Sequence, residues 1–257
     1  PAFFILFAIL AVRVAFLPGA SEGYKFLFIP DWSKLLEVDT WVMAMGQAFF
    51  SLSITGSGMI VYGTYLSNED IPKASIRTAI FDTIAAMLAA LAIMPAVFAF
   101  GIEPNAGPPL MFITLPNIFK QMPMGQFFAV LFFVSVVFAG VTSLINMFEA
   151  VSESWQTRFK LPRKAAVALC AGIAFVGLFL EAEPKVGSWM DFITIIVVPF
   201  GAVLGAVSIY YILGYDEIKE ELEEGRSKPL GKYFKPLAKY VYVPMSVIVF
   251  VLGILYG

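Results

Sequence analysis

The chain has 257 residues, of which 60% are hydrophobic and 14% charged, against about 45–50% apolar and about 25% charged in average soluble domains. A net charge of -2 gives no sign of nucleic-acid binding, and the absence of histidine argues against imidazole catalysis and histidine-ligated metals. Cys170 lies in an apolar run and is interpreted as a small buried hydrophobe. The composition is that of a membrane protein.

Seven apolar segments follow one another, at 2–17, 41–66, 79–101, 124–150, 164–181, 189–213 and 240–256. A helix needs about 20 mostly apolar residues to cross about 30 Å of hydrocarbon, where backbone groups must pair within the segment. We therefore predict an all-α integral membrane protein with about seven transmembrane helices in one membrane domain, 1–257. Because the first segment starts at Pro1 without a signal-like start, we expect the chain to be the C-terminal part of a larger protein.

The basic residues are distributed unevenly over the connections between these segments. If segment 1 runs outward from the cytoplasm, the cytoplasmic connections hold twelve Lys and Arg, and the outer ones hold Lys25, Lys34, Lys120 and Lys185. This orientation agrees with the positive-inside rule, and its reverse would violate that rule. The stretches 18–40 and 102–123 are then external, and 214–239 is expected to be a partly helical, solvated cytoplasmic loop.

Small and hydroxylated residues interrupt the middle of segment 2, at 53–58 (SITGSG). Glycine costs about 1 kcal/mol relative to alanine inside a helix. Secondary transporters hold ions and substrate at such broken helices near the membrane midplane. Close helix packing through Gly56 and Gly58 is the alternative, and the residues alone leave both interpretations open.

Asp82 is an acid within apolar segment 3. Burying a carboxylate at membrane depth costs about 2.5 kcal/mol or more, so such a group marks a functional site by default. An interfacial position near the cytoplasmic end is the alternative, because Arg77 lies only a few residues earlier.

Segment 4 carries three oxygen-bearing positions at a helical spacing of i, i+3 and i+4, namely Ala139, Thr142 and Ser143. Residues at this spacing share one helix face, and one carbonyl with two hydroxyls suits a small hard cation. The alternative is that both hydroxyls bond only to the preceding turn of their own helix.

Three stretches, 47–53 (QAFFSLS), 112–116 (FITLP) and 138–143 (FAGVTS), resemble the neurotransmitter:sodium symporters, above all bacterial amino-acid transporters of the LeuT type. The similarity extends over essentially the whole chain, from the family's fifth transmembrane helix to its eleventh. It implies the LeuT-type fold of two inverted five-helix repeats. This chain would hold the second repeat and both flanking helices, while helices one to four would come from the rest of the protein.

Matched residue by residue, the resemblance implies two sodium sites and a substrate pocket. The first sodium site takes Ser51 and Asp82, and the second takes Ala139, Thr142 and Ser143. The substrate pocket takes Phe50, Ser51, Ser53, Gly56, Ser143 and Met147.

The resemblance also implies an extracellular gate at Gln47 and Asp191, and a cytoplasmic gate at Tyr65. The acidic partner that the family often has at the cytoplasmic gate is not cleanly present. Thr157 falls near that position, and Glu153 lies one turn earlier.

Two departures from the family pattern carry predictions. Asp82 stands where the family usually has an asparagine, or, in an alternative alignment, at the chloride-substituting position one turn along. Both alignments predict transport without chloride. Thr55-Gly56-Ser57 replaces Gly-Phe-Gly, which enlarges the cavity and favours a large hydrophobic or aromatic amino acid.

The sequence thus predicts sodium-coupled amino-acid symport by alternating access in the inner (plasma) membrane, as a multi-pass protein. Its partners are sodium, the amino acid and the bilayer, without nucleic acid or an organic cofactor. A non-transporting fragment is the alternative, because both sodium sites need ligands from a first helix outside this sequence. An intramembrane enzyme is disfavoured, since the sequence offers neither histidine nor paired intramembrane carboxylates.

Overall fold

The chain folds into helices joined by short connections. The computed structural model describes residues 2–54, 58–66, 69–104, 109–180, 185–226 and 228–256. Within these ranges the regular structure is entirely helical, without a strand. The predicted all-α architecture is confirmed.

Thirteen α-helices are present in the described ranges, together with shorter 3₁₀ and π turns. In chain order they are α1 (Ala2–Ala15), α2 (Ala20–Phe28), α3 (Val38–Ser51), α4 (Gly58–Gly63), α5 (Ile71–Ala99), α6 (Pro109–Lys120), α7 (Gly125–Phe159), α8 (Arg163–Gly177), α9 (Lys185–Asp191), α10 (Val198–Val207), α11 (Tyr215–Glu223), α12 (Phe234–Leu237) and α13 (Val243–Tyr256). Each of the seven predicted apolar segments contains helix, segment 2 being divided into α3 and α4, and α11 gives the 214–239 loop its expected helical part.

Four continuous helical stretches in the described ranges are long and apolar enough to cross a membrane: Ile71–Ala99, Gly125–Phe159, Gly187–Leu213 and Phe234–Leu255. A fifth candidate span is the bent pair Phe3–Ala15 and Ala20–Leu36, whose axes differ by 116°. Segment 2 falls outside this set because it is divided into α3 and α4. The chain is therefore an integral membrane protein.

The first of two compact units comprises Pro1–Trp32 and Ile80–Leu144. Its core is apolar and rich in aromatic rings, and Phe132 is fully buried with its ring centroid 5.4 Å from that of Phe7. Gly23 lies so close to the backbone of Pro95 in α5 that any side chain there would overlap it. These contacts join α1 to α7, and α2 to the C-terminal half of α5.

The second unit comprises Ser33–Ala79 and Ile145–Gly257. Its apolar cluster contains Phe49 of α3, Val198 and Ala202 of α10, and Val249 of α13. Cys170 of α8 is a free, buried cysteine, as the sequence predicts.

Three π-helical turns interrupt the last helices, at Phe192–Val197, Ser208–Leu213 and Ala238–Tyr242. The first is packed closely on two sides. A Cβ placed on Gly46 of α3 would lie 3.2 Å from the carbonyl oxygen of Thr194, and one on Gly253 of α13 would lie 2.8 Å from that of Ile195. Such π turns are frequent at functional sites, and this one directly follows Asp191.

Candidate functional site

Helix α3 ends at Ser51 through a Schellman motif, in which the chain turns left-handed just beyond the helix. Ser53 has φ of 54°, and its amide donates to the carbonyl of Phe50 at 3.0 Å. The amide of Ile54 donates to the carbonyl of Phe49 at 2.9 Å, and the Ile54 side chain packs against the cluster around Phe49. The predicted break in segment 2 is confirmed, since this motif ends α3 at Ser51 and α4 begins only at Gly58.

The predicted substrate residues of segment 2 lie around this helix end. Phe50 and Ser51 form the last turn of α3 and are exposed, and Ser53 occupies the left-handed position beyond it. The chain re-enters a helix at Gly58, the first residue of α4. Gly56 lies outside the described residues. Met147 is exposed on α7.

A cavity of about 400 Å³ lies within the second unit beside the broken helix. Its walls come from the end of α3, the first turns of α5, α10 and the two later π turns. They are mostly apolar or small, with hydroxyl groups from Ser53, Ser75, Thr78, Tyr210 and Tyr242. Among the described residues, Ser53 is the predicted substrate residue that lies on this wall.

The three residues of the predicted cation face on α7 are hydrogen-bonded to one another. The hydroxyl of Thr142 donates to the carbonyl oxygen of Ala139 at 2.8 Å, and that of Ser143 donates to the same oxygen at 3.1 Å. The back-bonding alternative is therefore realised in this structure. It brings three oxygens together, and each hydroxyl keeps lone pairs for a cation because it is the donor in its bond.

Asp82 lies in the first unit, on α5, where it is half-buried. The three oxygens on α7 belong to the same unit. Within the described residues, the structure holds no group of three or more His, Cys, Asp or Glu side chains able to bind a metal ion. The oxygens of Ala139, Thr142 and Ser143 are carbonyl and hydroxyl oxygens, which are ligands for hard ions rather than for zinc or other transition metals.

Tyr65, the predicted cytoplasmic gate residue, is bonded to an acid that the sequence analysis did not single out. Its hydroxyl donates to Oε1 of Glu149 at 3.0 Å, and Arg163 donates to both carboxylate oxygens of Glu149 at 3.0 and 2.7 Å. The hydrogen bonds to Glu149 raise the pKa of the Arg163 guanidinium, which lies in the connection between apolar segments 4 and 5. Thr157 and Glu153 bond to each other at 3.3 Å.

A second ion pair holds the start of α5. Asp70 Oδ1 accepts a bond from the amide of Lys73 at 3.1 Å and one from Arg226 Nη1 at 2.8 Å. The two side chains are largely shielded, at 27% and 18% exposure. The loop between α11 and α12 is thereby attached to the segment that follows Tyr65.

The two predicted extracellular gate residues lie on neighbouring backbone segments. Gln47 is exposed on α3 directly after Gly46, and Asp191 is exposed at the end of α9. The close approach of Gly46 to Thr194 brings these segments together. The structure therefore places both residues beside the first π turn.

An all-helical membrane protein with a helix broken inside an apolar segment has the organisation of a secondary transporter. Comparison with known proteins identifies the family of transporters. The model of the sodium:neurotransmitter symporter family matches residues 2–256. The chain belongs to this family, whose members are transporters and not enzymes.

Individual relatives agree with the family match. The chain is 41% identical over 152 residues to an uncharacterized sodium-dependent transporter of Bacillus subtilis, covering 59% of this chain and 34% of the relative. It is 28% identical over 259 residues to one of Methanocaldococcus jannaschii, covering 93% and 52%. It thus spans about a third to a half of these relatives' lengths.

Among solved structures, the crystal structure of MhsT in complex with L-phenylalanine is similar to this chain, with a TM-score of 0.88 and 30% identity. The match covers 98% of this chain and 60% of MhsT. The LeuT-type fold inferred from the three sequence motifs is confirmed.

Proposed function

We propose that the complete protein is a sodium-coupled symporter of a large hydrophobic or aromatic amino acid, working by alternating access in the inner (plasma) membrane. The observation that carries the proposal is the broken helix α3–α4 in a chain of this family. Free backbone groups at such a break bind ions and substrate near the membrane midplane. Phe50, Ser51 and Ser53 lie at this break, and we assign them to the substrate together with Gly56, Ser143 and Met147.

The oxygen cluster on α7 supports a sodium site. Ala139 O, Thr142 Oγ1 and Ser143 Oγ share one face of the helix, and both hydroxyls are bonded so that their lone pairs stay available. We assign these three residues to one sodium ion, and Ser51 and Asp82 to another. Helices one to four, supplied by the rest of the protein, would complete both sites.

Coupling follows from differential affinity. If sodium and the amino acid each bind the occluded state more tightly than the open states, each raises the other's affinity by the same factor. We propose that Gln47 and Asp191 close the extracellular side. Tyr65, held by Glu149 and Arg163, would close the cytoplasmic side.

The substrate class rests on pocket volume. Thr55-Gly56-Ser57 carries no aromatic side chain where the LeuT type has one, so a larger substrate side chain fits. The complex of the similar protein MhsT with L-phenylalanine supports the same class.

Uptake by the full-length protein in vesicles tests the proposal. Labelled phenylalanine should accumulate when sodium is outside and should not when potassium replaces it; equal uptake in both would exclude sodium coupling. Unlabelled tryptophan or tyrosine should compete better than glycine or alanine. Preference for glycine would refute the substrate class but leave symport standing. The present chain alone should not transport, because its sites lack ligands.

The sodium assignment has a matched control on the same helix. Ser143→Ala removes a hydroxyl that donates to the carbonyl four residues earlier, and we expect about a tenfold rise in the sodium concentration for half-maximal uptake, the effect of about 1.4 kcal/mol. Ser135→Ala removes the same kind of bond, from Ser135 Oγ to Leu131 O at 2.7 Å, and should leave sodium dependence unchanged. Equal effects of both variants would contradict the site.

A further inference from the structure

Three lysines near the start of the last span have their ammonium groups over tyrosine rings. Lys232 Nζ lies 5.1 Å from the ring centroid of Tyr233, Lys235 Nζ lies 4.8 Å from that of Tyr215, and Lys239 Nζ lies 4.7 Å from that of Tyr211. We call these three lysines and three tyrosines the lysine–tyrosine stripe. The proposed transport function does not use them.

The stripe lies at the start of a candidate membrane-spanning helix. The candidate span Phe234–Leu255 contains Lys235 and Lys239 in its first six residues. Tyrosines and snorkelling lysines are typical of the headgroup level of a bilayer. Tyr233 and Tyr240 are 65% and 67% exposed, and Leu237 between them is exposed as well, so cationic and apolar groups alternate along this edge.

Local contacts keep these ammonium groups in place. The Tyr211 hydroxyl donates to the carbonyl of Lys239 at 2.9 Å, which fixes the ring under the side chain of the same lysine. A cation over an aromatic face is attracted by the negative charge density of that face. A ligand that meets ordered lysines loses less side-chain entropy than one that must order them.

The acidic residues of the same loop neutralise this surface only in part. Among the described residues, Asp216 is the only acid at ion-pair distance from a stripe lysine, 3.8 Å from Lys235 Nζ. Its side chain is 91% exposed, so solvent screens the pair. Lys232 and Lys239 make no ion pair in the described part of the chain.

We propose that the lysine–tyrosine stripe binds the headgroup phosphates of anionic phospholipids in the leaflet where the last span begins. The ammonium groups donate to phosphate oxygens, while Leu237 and the exposed tyrosine rings contact the upper acyl chains. A lipid fits better than a soluble anion because the stripe lies at headgroup depth and presents apolar groups beside each charge. Juxtamembrane lysines attract anionic lipids in this way.

Spin-labelled phosphatidylglycerol and phosphatidylcholine, added to the full-length protein in phosphatidylcholine vesicles, test the proposal. The wild type should immobilise phosphatidylglycerol preferentially, and high salt should weaken the preference. The triple variant Lys232→Gln/Lys235→Gln/Lys239→Gln should abolish it, with about a fivefold loss for each lysine. Lys219→Gln is the matched control, because Lys219 is in the same loop and pairs with Glu223 at 3.9 Å; it should retain the preference.

Variants of the aromatic partner Tyr211 distinguish a specific lipid-binding site from nonspecific attraction by positive charge. Tyr211→Leu should lower the preference without any change of charge, and Tyr211→Phe should retain most of it because the ring remains. An absent preference in the wild type, a preference kept by the triple variant, or equal losses in Lys219→Gln and Lys239→Gln would each overturn the proposal. If the triple variant does not fold, Lys239→Gln and Tyr211→Leu decide alone. Lipid binding is read without transport, so failure here leaves the proposed function untouched.

Discussion

The amide of Ile54 donates to the carbonyl oxygen of Phe49 at 2.9 Å, so the backbone bond that closes helix α3 spans five residues instead of four. This bond forces Ser53 into the left-handed region, at φ of 54°. Side-chain packing of Ile54 on the cluster around Phe49 reinforces it. The helix break is therefore a stable local structure with its own hydrogen bonds.

Ser53→Gly should stabilise the protein by about 1 kcal/mol, because glycine adopts the left-handed conformation without the cost that other residues bear. Ser53→Val should destabilise it. Thermal unfolding of the purified protein measures both. Ser75→Gly is the control. It places glycine inside helix α5 and should therefore lower the stability of the protein. A lower melting temperature for Ser53→Gly would contradict the cap.

Gly253→Ala should destabilise the protein by about 1–3 kcal/mol, the usual cost of overpacking. The added Cβ would lie 2.8 Å from the carbonyl oxygen of Ile195, and a backbone atom cannot move aside as a side chain can. Gly177→Ala is the control, since among the described residues nothing beyond its chain neighbours and its own helix backbone lies within 4 Å of its Cβ position. Equal melting temperatures for the two variants would disprove close packing at the π turn.

Tyr65→Phe should shift the transporter toward its inward-open state, because it removes the bond to Glu149 and leaves the ring in place. Because this hydrogen bond is exposed to solvent, which weakens it, we expect only about a threefold shift. Labelling of a cysteine introduced into the cytoplasmic pathway reports it. Tyr62→Phe, one turn earlier, should label like wild type; the idea fails if both variants label alike.

Asp70→Asn should lower the free energy of unfolding by about 1–2 kcal/mol, a value between those for exposed and buried ion pairs. Asparagine preserves the bond to the Lys73 amide, since it is an equally good N-cap, so the loss reports the pair with Arg226 alone. Chemical denaturation of Asp70→Asn, Arg226→Gln and the double variant gives the coupling energy. Lys25→Gln breaks an ion pair in which both side chains are more than half exposed, so it should leave the free energy of unfolding almost unchanged. Additive single effects would rule out the pair.

Asp82→Ser should make transport dependent on chloride, if the carboxylate supplies the negative charge that chloride supplies in animal members. Uptake with chloride replaced by gluconate measures this. Asp39→Ser, at the first turn of α3, is a control that removes an acid elsewhere. Continued chloride independence of Asp82→Ser would refute the role given to Asp82.

The sequence was sufficient for features that depend on nearby residues. The apolar segments predicted the helices, and the small residues at 53–58 predicted the break. Spacing along one helix placed the oxygens of Ala139, Thr142 and Ser143 on one face. In each case, hydropathy, helix geometry or backbone freedom over a few residues determines the outcome.

Features that depend on distant residues were not predictable in this way. Glu149 follows an apolar run in α7 with no local signal, and its bond to Tyr65 joins positions 84 residues apart. The pair of Asp70 and Arg226 joins positions 156 residues apart. The hydrogen-bond acceptors of the Thr142 and Ser143 hydroxyls could not be predicted either, because hydropathy does not show to which oxygen a hydroxyl group donates. The π turns leave no mark in residue pattern, since they differ from α-helix only by one extra residue.

That extra residue has a rotational consequence for the first π turn. Each helical residue advances the chain by about 100° around the helix axis. The extra residue in the π turn at Phe192–Val197 therefore determines the direction in which Asp191 points from the axis, relative to the side chains of α10. Deleting one residue there would turn Asp191 by about a quarter of a circle, with every side chain of α10 still present. Gly46 and Gly253 pack against the π turn from both sides. The direction of the Asp191 side chain is therefore fixed by backbone packing and not by the acid itself.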